Sequence, residues 1–233
     1  MATDDDSLSF GDDRPDRRSV ANVPAGVPGG DPEFGSPARL IGLSDGVYAI
    51  ALTLLVLDIS VADGLDPEQF YPALRQTLPQ LGAYALSFVV IALFWRGHRR
   101  IFMYVGKIDG PLMRFALAGL GLVALFPFPT GLLAEYGTES LVVAAYAATV
   151  AAIDITFLIM LLRLRARPRL TKDSVDIRAV LPLRDLAVPV AVFLLSIPVA
   201  FLSASAGMWF WLLLVPAGFA AERHRRRSAR PAA

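Results

Sequence analysis

The sequence predicts an all-α integral membrane protein with six transmembrane helices. Three observations predict it. Hydrophobic residues make up 55% of the 233, and mean hydropathy is +0.53, well beyond an ordinary soluble domain. The apolar stretches reach the roughly 20 residues that cross a bilayer. They run continuously and do not alternate, which argues against the strands of an outer-membrane barrel. Helices, in contrast, satisfy every backbone polar group internally, as a bilayer demands.

Residues 1–37 precede the first span. They are polar and rich in Asp, Gly and Pro, with no apolar core of signal-peptide length, and read as a disordered cytoplasmic tail. The six-helix apolar domain covers 38–222, and 223–233 is a basic cytoplasmic tail. Within the domain, spans are expected at about 39–60, 72–95, 110–133, 140–162, 185–202 and 206–221. The last two are short and meet at Ser203-Ala204-Ser205-Ala206, a tight helical hairpin. Pro127, Pro129, Pro189, Pro198 and Pro216 remove backbone donors and predict kinks in the later spans.

The basic residues set the orientation. One side receives Arg39, then Arg96, Arg99, Arg100 and Lys107, then the run from Arg163 to Arg184, and finally the tail from Arg223 to Arg230; the other side receives Arg75. The positive-inside rule then places both termini in the cytoplasm of a multi-pass cell-membrane protein. The outer loops hold Asp63, Asp66, Glu68, Glu135 and Glu139. The basic loops also suit anionic lipid headgroups, although orientation alone accounts for them nearly as well.

Composition excludes several functions. A net charge of +1 argues against a nucleic-acid-binding field. There are no cysteines, and the two histidines, His98 and His224, stand far apart, so neither thiolate nor His-rich metal chemistry is expected. No Ser-His-Asp order, HExxH or ligand cluster marks an enzyme, and no cofactor or resident metal is expected.

The first span carries the chemistry. It is apolar enough to cross a bilayer, yet it holds Arg39, Ser44, Asp45, Thr53 and Asp58. Each polar group in hydrocarbon costs free energy, so such residues point to function or to a partner. On a helical wheel Ile50, Leu54 and Leu57 share one face, with Thr53 beside them. Gly42 and Gly46 form a small-xxx-small pair that admits a neighbouring helix. Asp45 lies inside the cytoplasmic end and needs a partner. Trp95 and His98 end the second span at matching depth, so a Ser44/Asp45–Trp95/His98 network would lock the two helices together.

The string Arg39-x-x-x-Leu43-Ser44-Asp45-Gly46-x-x-Ala49-Ile50-x-x-Thr53-Leu54-Leu55 resembles the first-helix signature of the transmembrane protein 175 family. Phe94-Trp95-x-x-His98 and Phe126-Pro127-Phe128-Pro129-Thr130 resemble its second- and third-helix endings, and the likeness covers about 39–221. Animal members are endolysosomal potassium channels; prokaryotic members are smaller potassium-permeable homologues. The resemblance implies a homotetramer whose first helices line a central pore that conducts potassium. It implies that Ile50 forms the narrowest hydrophobic constriction, that Thr53 contributes to selectivity, and that Leu54 and Leu57 form further hydrophobic layers. It also implies that Arg39, Ser44, Asp45, Trp95 and His98 form a structural polar network. Leu43, Tyr48 and Arg99 depart from the residues common in the family, which bears on local packing.

No Thr-Val-Gly-Tyr-Gly filter is present, so selection would fall to side chains on the pore helix, with an Ile50 ring closing by dewetting. The alternative is a proton- or cation-coupled secondary transporter. Membrane-embedded Asp154 and Asp58 suit its ion sites, but no convincing internal repeat supports it.

Overall fold

The computed structural model describes residues 36–60, 64, 66–173 and 175–211. Helix α1 (Pro37–Leu54) starts with a proline in its first turn, where no backbone donor is missed, and tightens into a 3-10 turn at Leu55–Asp58. Helices α2 (Pro67–Gln76) and α3 (Leu78–Phe102) follow with only Thr77 between them. Next come α4 (Gly110–Leu125), α5 (Pro127–Tyr136) and α6 (Ser140–Ala166). A short α7 (Ile177–Val180) leads to α8 (Arg184–Leu202), and α9 is described over Ala204–Trp211.

Five stretches among the described residues are long and apolar enough to cross a membrane: 37–57, 67–102, 110–136, 140–166 and 184–202. Most of the expected sixth span, Pro216 and both expected tails lie outside the described residues, apart from Ser36 and Pro37. The second span differs from the expected 72–95. It begins at Pro67 and continues to Phe102, because Arg99 and Arg100 in its last turn complement the helix dipole and carry the helix past its apolar core. The expected kink in the third span is a break at Phe126, where Pro127 starts a new helix. The hairpin between α8 and α9 is tighter than expected, with Ser203 alone as its link.

Helix α6 is the hub. It packs against α3, α4, α5, α8 and α9, while α1 packs on α3 and α4. Val143, Tyr146, Val150, Ile153, Phe157, Met160 and Leu164 of α6 are all buried along one side at steps of three and four, and Ala144, Ala147, Ala151 and Leu161 widen that buried face. Two glycines permit the closest approaches. A Cβ on Gly119 of α4 would sit 2.7 Å from Thr156 Oγ1 of α6, and one on Gly207 of α9 would sit 2.9 Å from Ala200 Cβ of α8. Both follow the small-residue logic of membrane helix pairs. At the basic end, the loop after α3 pairs with the loop after α6 through an antiparallel bridge, Val105 to Thr171. Gly106 N donates to Leu170 O (2.8 Å) and Lys172 N to Tyr104 O (3.0 Å).

Candidate functional site: the two faces of the first helix

Helix α1 divides cleanly. Leu40, Ser44, Tyr48, Ala51 and Leu55 are buried against the bundle. Leu43, Ile50, Leu54 and Leu57 stand 52%, 60%, 40% and 71% exposed, with Thr53 exposed among them. The steps of three and four residues explain the division, because each set repeats along one side of a 3.6-residue helix. The exposed stripe is apolar apart from Thr53. That hydroxyl donates back to Ile50 O at 2.8 Å. Its proton is thereby used within the helix, and its lone pairs remain free to meet a cation.

The buried face carries a polar clamp. Trp95 Nε1 donates to Asp45 Oδ1 at 2.8 Å, which gives the half-buried carboxylate its partner. The Arg99 guanidinium lies 5.2 Å above the Trp95 ring, a cation–π contact that fixes the indole from its other side. Ser44 Oγ donates to Leu40 O at 2.7 Å and lies 3.4 Å from His98 Nε2. The serine has one proton, and it is committed to Leu40. Nε2 therefore carries the hydrogen of this pair, and Nδ1 is left as a buried acceptor without a partner. His98 also stacks on Phe102, with ring centroids 4.5 Å apart.

The structure thus brings Ser44, Asp45, Trp95 and His98 together and leaves Arg39 apart. Arg39 is exposed, on the side of α1 that also bears Ile50, Thr53 and Leu57. It stands five residues before Ser44, about 140° around the helix, too far to join the clamp.

Sequence reasoning missed three further polar contacts. Deep in the bundle, Thr130 Oγ1 lies 2.9 Å from Ser87 Oγ, which is 3.0 Å from Tyr146 Oη. This buried triad joins α3, α5 and α6, and the only hint of it was Thr130 closing a Phe-Pro-Phe-Pro string. At the basic end Asp109 receives Arg163 Nε and Nη2, the latter at 2.6 Å, and also accepts from Leu112 N as the N-cap of α4. Those Arg163 hydrogen bonds hold the Asp109 carboxyl below its ordinary value, against a smaller opposing effect of burial. Arg100 reaches Asp185 (3.1 Å) and Val180 O (2.9 Å). An acid just before Gly-Pro at a helix start was the available signal for Asp109. Among the described residues, no group of three or more His, Cys, Asp or Glu could hold a metal ion.

A family profile described as the endosomal/lysosomal potassium channel TMEM175 matches residues 39–127, the segment that holds both the clamp and the exposed stripe. A potassium channel of Streptomyces collinus is 45% identical over 101 residues, which are 43% of this chain and 49% of that one. The Gallus gallus endosomal/lysosomal proton channel TMEM175 is 35% identical over 113 residues, 45% of this chain and 23% of that one. The crystal structure of a lysosomal potassium-selective channel TMEM175 homolog from Chamaesiphon minutus superposes with a TM-score of 0.69 at 28% identity, over 80% of this chain and 97% of that one. The chain is similar to the TMEM175 channels, in sequence over residues 39–127 and in fold over most of its length. It spans about half the length of the first curated relatives that it matches (49% and 53%). The likeness in fold to the solved relative, over 80% of this chain, extends beyond the segment that the profile matches.

Proposed function

We propose that this protein is a passive, potassium-selective cation channel. Its working form is a homotetramer in the cell membrane, and one α1 from each subunit lines the central pore. The observation that carries this reading is the division of α1. A polar clamp fixes one face to the subunit, and the other face presents an unclaimed apolar stripe interrupted by a single hydroxyl. The potassium-channel relatives and the fold of the potassium-selective homologue support it.

In the tetramer Ile50 forms the narrowest ring, and Leu54 and Leu57 form further apolar layers. A ring of four Ile50 side chains dewets when closed, and a small outward movement of α1 admits a partly hydrated cation. Thr53, with its proton turned back to Ile50 O, offers oxygen lone pairs to that ion one turn away. Ser44, Asp45, Trp95 and His98 hold the helix in register; Arg39 lies at the mouth of the stripe. A shallow apolar groove lined by Val47, Ile50, Ala51, Leu54 and Ala124 lies beside the stripe and suits a side chain from a neighbouring subunit. Each subunit crosses the membrane six times, with both termini cytoplasmic. Lys107, Arg167, Arg169 and Lys172, gathered by the pairing of the two basic loops, face anionic headgroups on that side. The protein is not an enzyme and needs no cofactor.

Purified protein in a planar bilayer tests the reading. A potassium-over-sodium gradient should give a reversal potential near the potassium equilibrium value, with unitary current steps. Ile50→Asn should raise conductance and weaken selectivity. Potassium flux left unchanged by this substitution, in correctly assembled protein, would remove Ile50 from the pore. Saturating, proton-coupled flux without unitary steps would favour the transporter alternative.

A further inference from the structure

Two loops that the conduction path does not use are tied together at the basic end. The bridge between Val105 and Thr171 lies three residues past the end of α3 and five past the end of α6. Val105 and Leu170 are 1% and 4% exposed, so each loop is anchored in the bundle.

The main chains of these loops bring four cations together. Lys107 N donates to Leu170 O (3.1 Å), and Leu170 N donates to Arg167 O (2.9 Å). Lys172 N donates to Tyr104 O (3.0 Å), and Arg169 directly precedes Leu170. The loops approach so closely that a Cβ on Gly106 would sit 3.1 Å from Thr171 O and 3.2 Å from Lys172 N. Lys107, Arg167, Arg169 and Lys172 are all exposed.

Gathering like charges is unfavourable unless an anion offsets them. Among the described residues, none of the four forms an ion pair with a carboxylate. The neighbouring acids are engaged elsewhere: Asp109 with Arg163, Asp185 with Arg100, and Asp176 with the N–H of Arg178. Asp173, exposed beside Lys172, is a single negative charge against four positive ones. Arg165 adds a further cation: its Nη2 donates to Leu181 O, and its Nε is buried without a partner.

Apolar surface adjoins the cluster. Met103, the residue before Tyr104, is 55% exposed. Cations beside an uncovered apolar side chain, just past the ends of two spanning helices, suit a ligand that is anionic at one end and apolar at the other. We propose that the joined loops form a binding site for the phosphate headgroup of an anionic phospholipid, whose acyl chains lie against the end of α3. Arginine guanidinium groups grip phosphate oxygens through paired charge-assisted hydrogen bonds, and the two lysines add point charges. A free phosphate would satisfy the cations and leave Met103 uncovered. The site sharpens the reading of the basic loops given above and rests on the chain spanning a membrane, not on conduction.

Full-length protein in mild detergent is titrated with phosphatidylglycerol, with phosphatidylcholine as the neutral control, and native mass spectrometry counts the lipids bound. The wild type should prefer phosphatidylglycerol; equal binding of the two lipids overturns the proposal. A cation near an anionic lipid surface contributes about fivefold in affinity, so Lys107→Gln combined with Lys172→Gln should weaken binding about 25-fold. Arg96→Gln combined with Arg184→Gln removes the same charge from exposed positions on the same side, away from the bridge. That pair should change binding by no more than about twofold. Equal losses from the two pairs would show a general positive field and overturn the site. Gly106→Val keeps every charge and forces the loops apart, so it should also weaken binding; unchanged binding in that variant overturns the role of the bridge. If it fails to fold, the two charge pairs, which alter exposed residues only, still decide the matter. Displacement of the lipid by inorganic phosphate would overturn the lipid assignment and leave a soluble phosphate as the ligand. Selective lipid binding in protein that passes no potassium would uphold the site and remove the channel reading instead.

Discussion

Helices α1 and α6 look alike in sequence and do opposite work. Their mean hydropathies are 2.0 and 2.1, yet 28% of the apolar window of α1 is buried against 56% of that of α6. Hydropathy reports that both can enter a bilayer; it is silent on which faces a neighbour. The placement of polar groups decides that. In α1 Ser44 and Asp45 lie on the clamp side, and between Arg39 and Thr53 the opposite face is apolar. In α6 the apolar residues surround the helix, so it becomes the centre about which the others pack. A helix fixed on one narrow side can move; one packed over most of its circumference cannot move without disturbing the rest.

The largest test of this contrast is a pair of truncations. Phe157 of α6 is 2% exposed and meets the rings of Phe94 and His98. Phe157→Ala should cost about 3–5 kcal/mol, from lost burial and a residual cavity. Leu57 is 71% exposed. In detergent-dissociated subunits Leu57→Ala should change stability by no more than about 0.5 kcal/mol. Thermal unfolding of the two variants measures both. Equal losses would mean that α1 is as embedded in its own subunit as α6, and the contrast would fail.

What the sequence disclosed follows the same physics. A carboxylate and an indole at matching depth in adjacent spans have few other partners, so the Asp45–Trp95 contact was legible before any geometry. The wheel also placed Ile50, Leu54 and Leu57 on one face, with Thr53 beside them. Applied to Arg39, the same wheel puts it on the exposed side; family likeness alone grouped it with the clamp. The Ser87–Thr130–Tyr146 triad was hidden because its residues are 43 and 59 positions apart and small hydroxyls sit in membrane helices at little cost. Only the packing of α3, α5 and α6 brings them together. Helix ends were the least legible feature, as the extension of α3 to Phe102 illustrates: its last turn is held by charge and by stacking, not by hydropathy.

A middle-sized effect probes the clamp itself. Trp95→Phe keeps the ring and removes the donor to Asp45, leaving a half-buried carboxylate without its hydrogen bond. The expected cost is about 1–3 kcal/mol. Hydrogen exchange should locate it: the amides of α1 should exchange faster, and those of α6 should keep their protection. Faster exchange spread evenly over both helices would show that the clamp supports the whole bundle and not the first helix in particular.

The smallest effect lies at the basic end of α6, where its fixed position depends on charge. Asp109 and Arg163 are 25% and 23% exposed, so solvent weakens their attraction and a modest contribution is expected. Asp109→Asn removes the charge while keeping an oxygen able to cap Leu112 N, which isolates the ion pair from the cap. The folded carboxyl is held below its unfolded value, about 3.9, chiefly by the Arg163 hydrogen bonds. The ion pair therefore stabilises fully above the unfolded value and loses its contribution as pH falls through the folded one. Wild type should melt a little above Asp109→Asn at neutral pH, and the gap should shrink with added salt and close in strong acid. A gap that persists unchanged in acid and salt would show that the ion pair is not its source, so that the hub helix owes its fixity to packing alone.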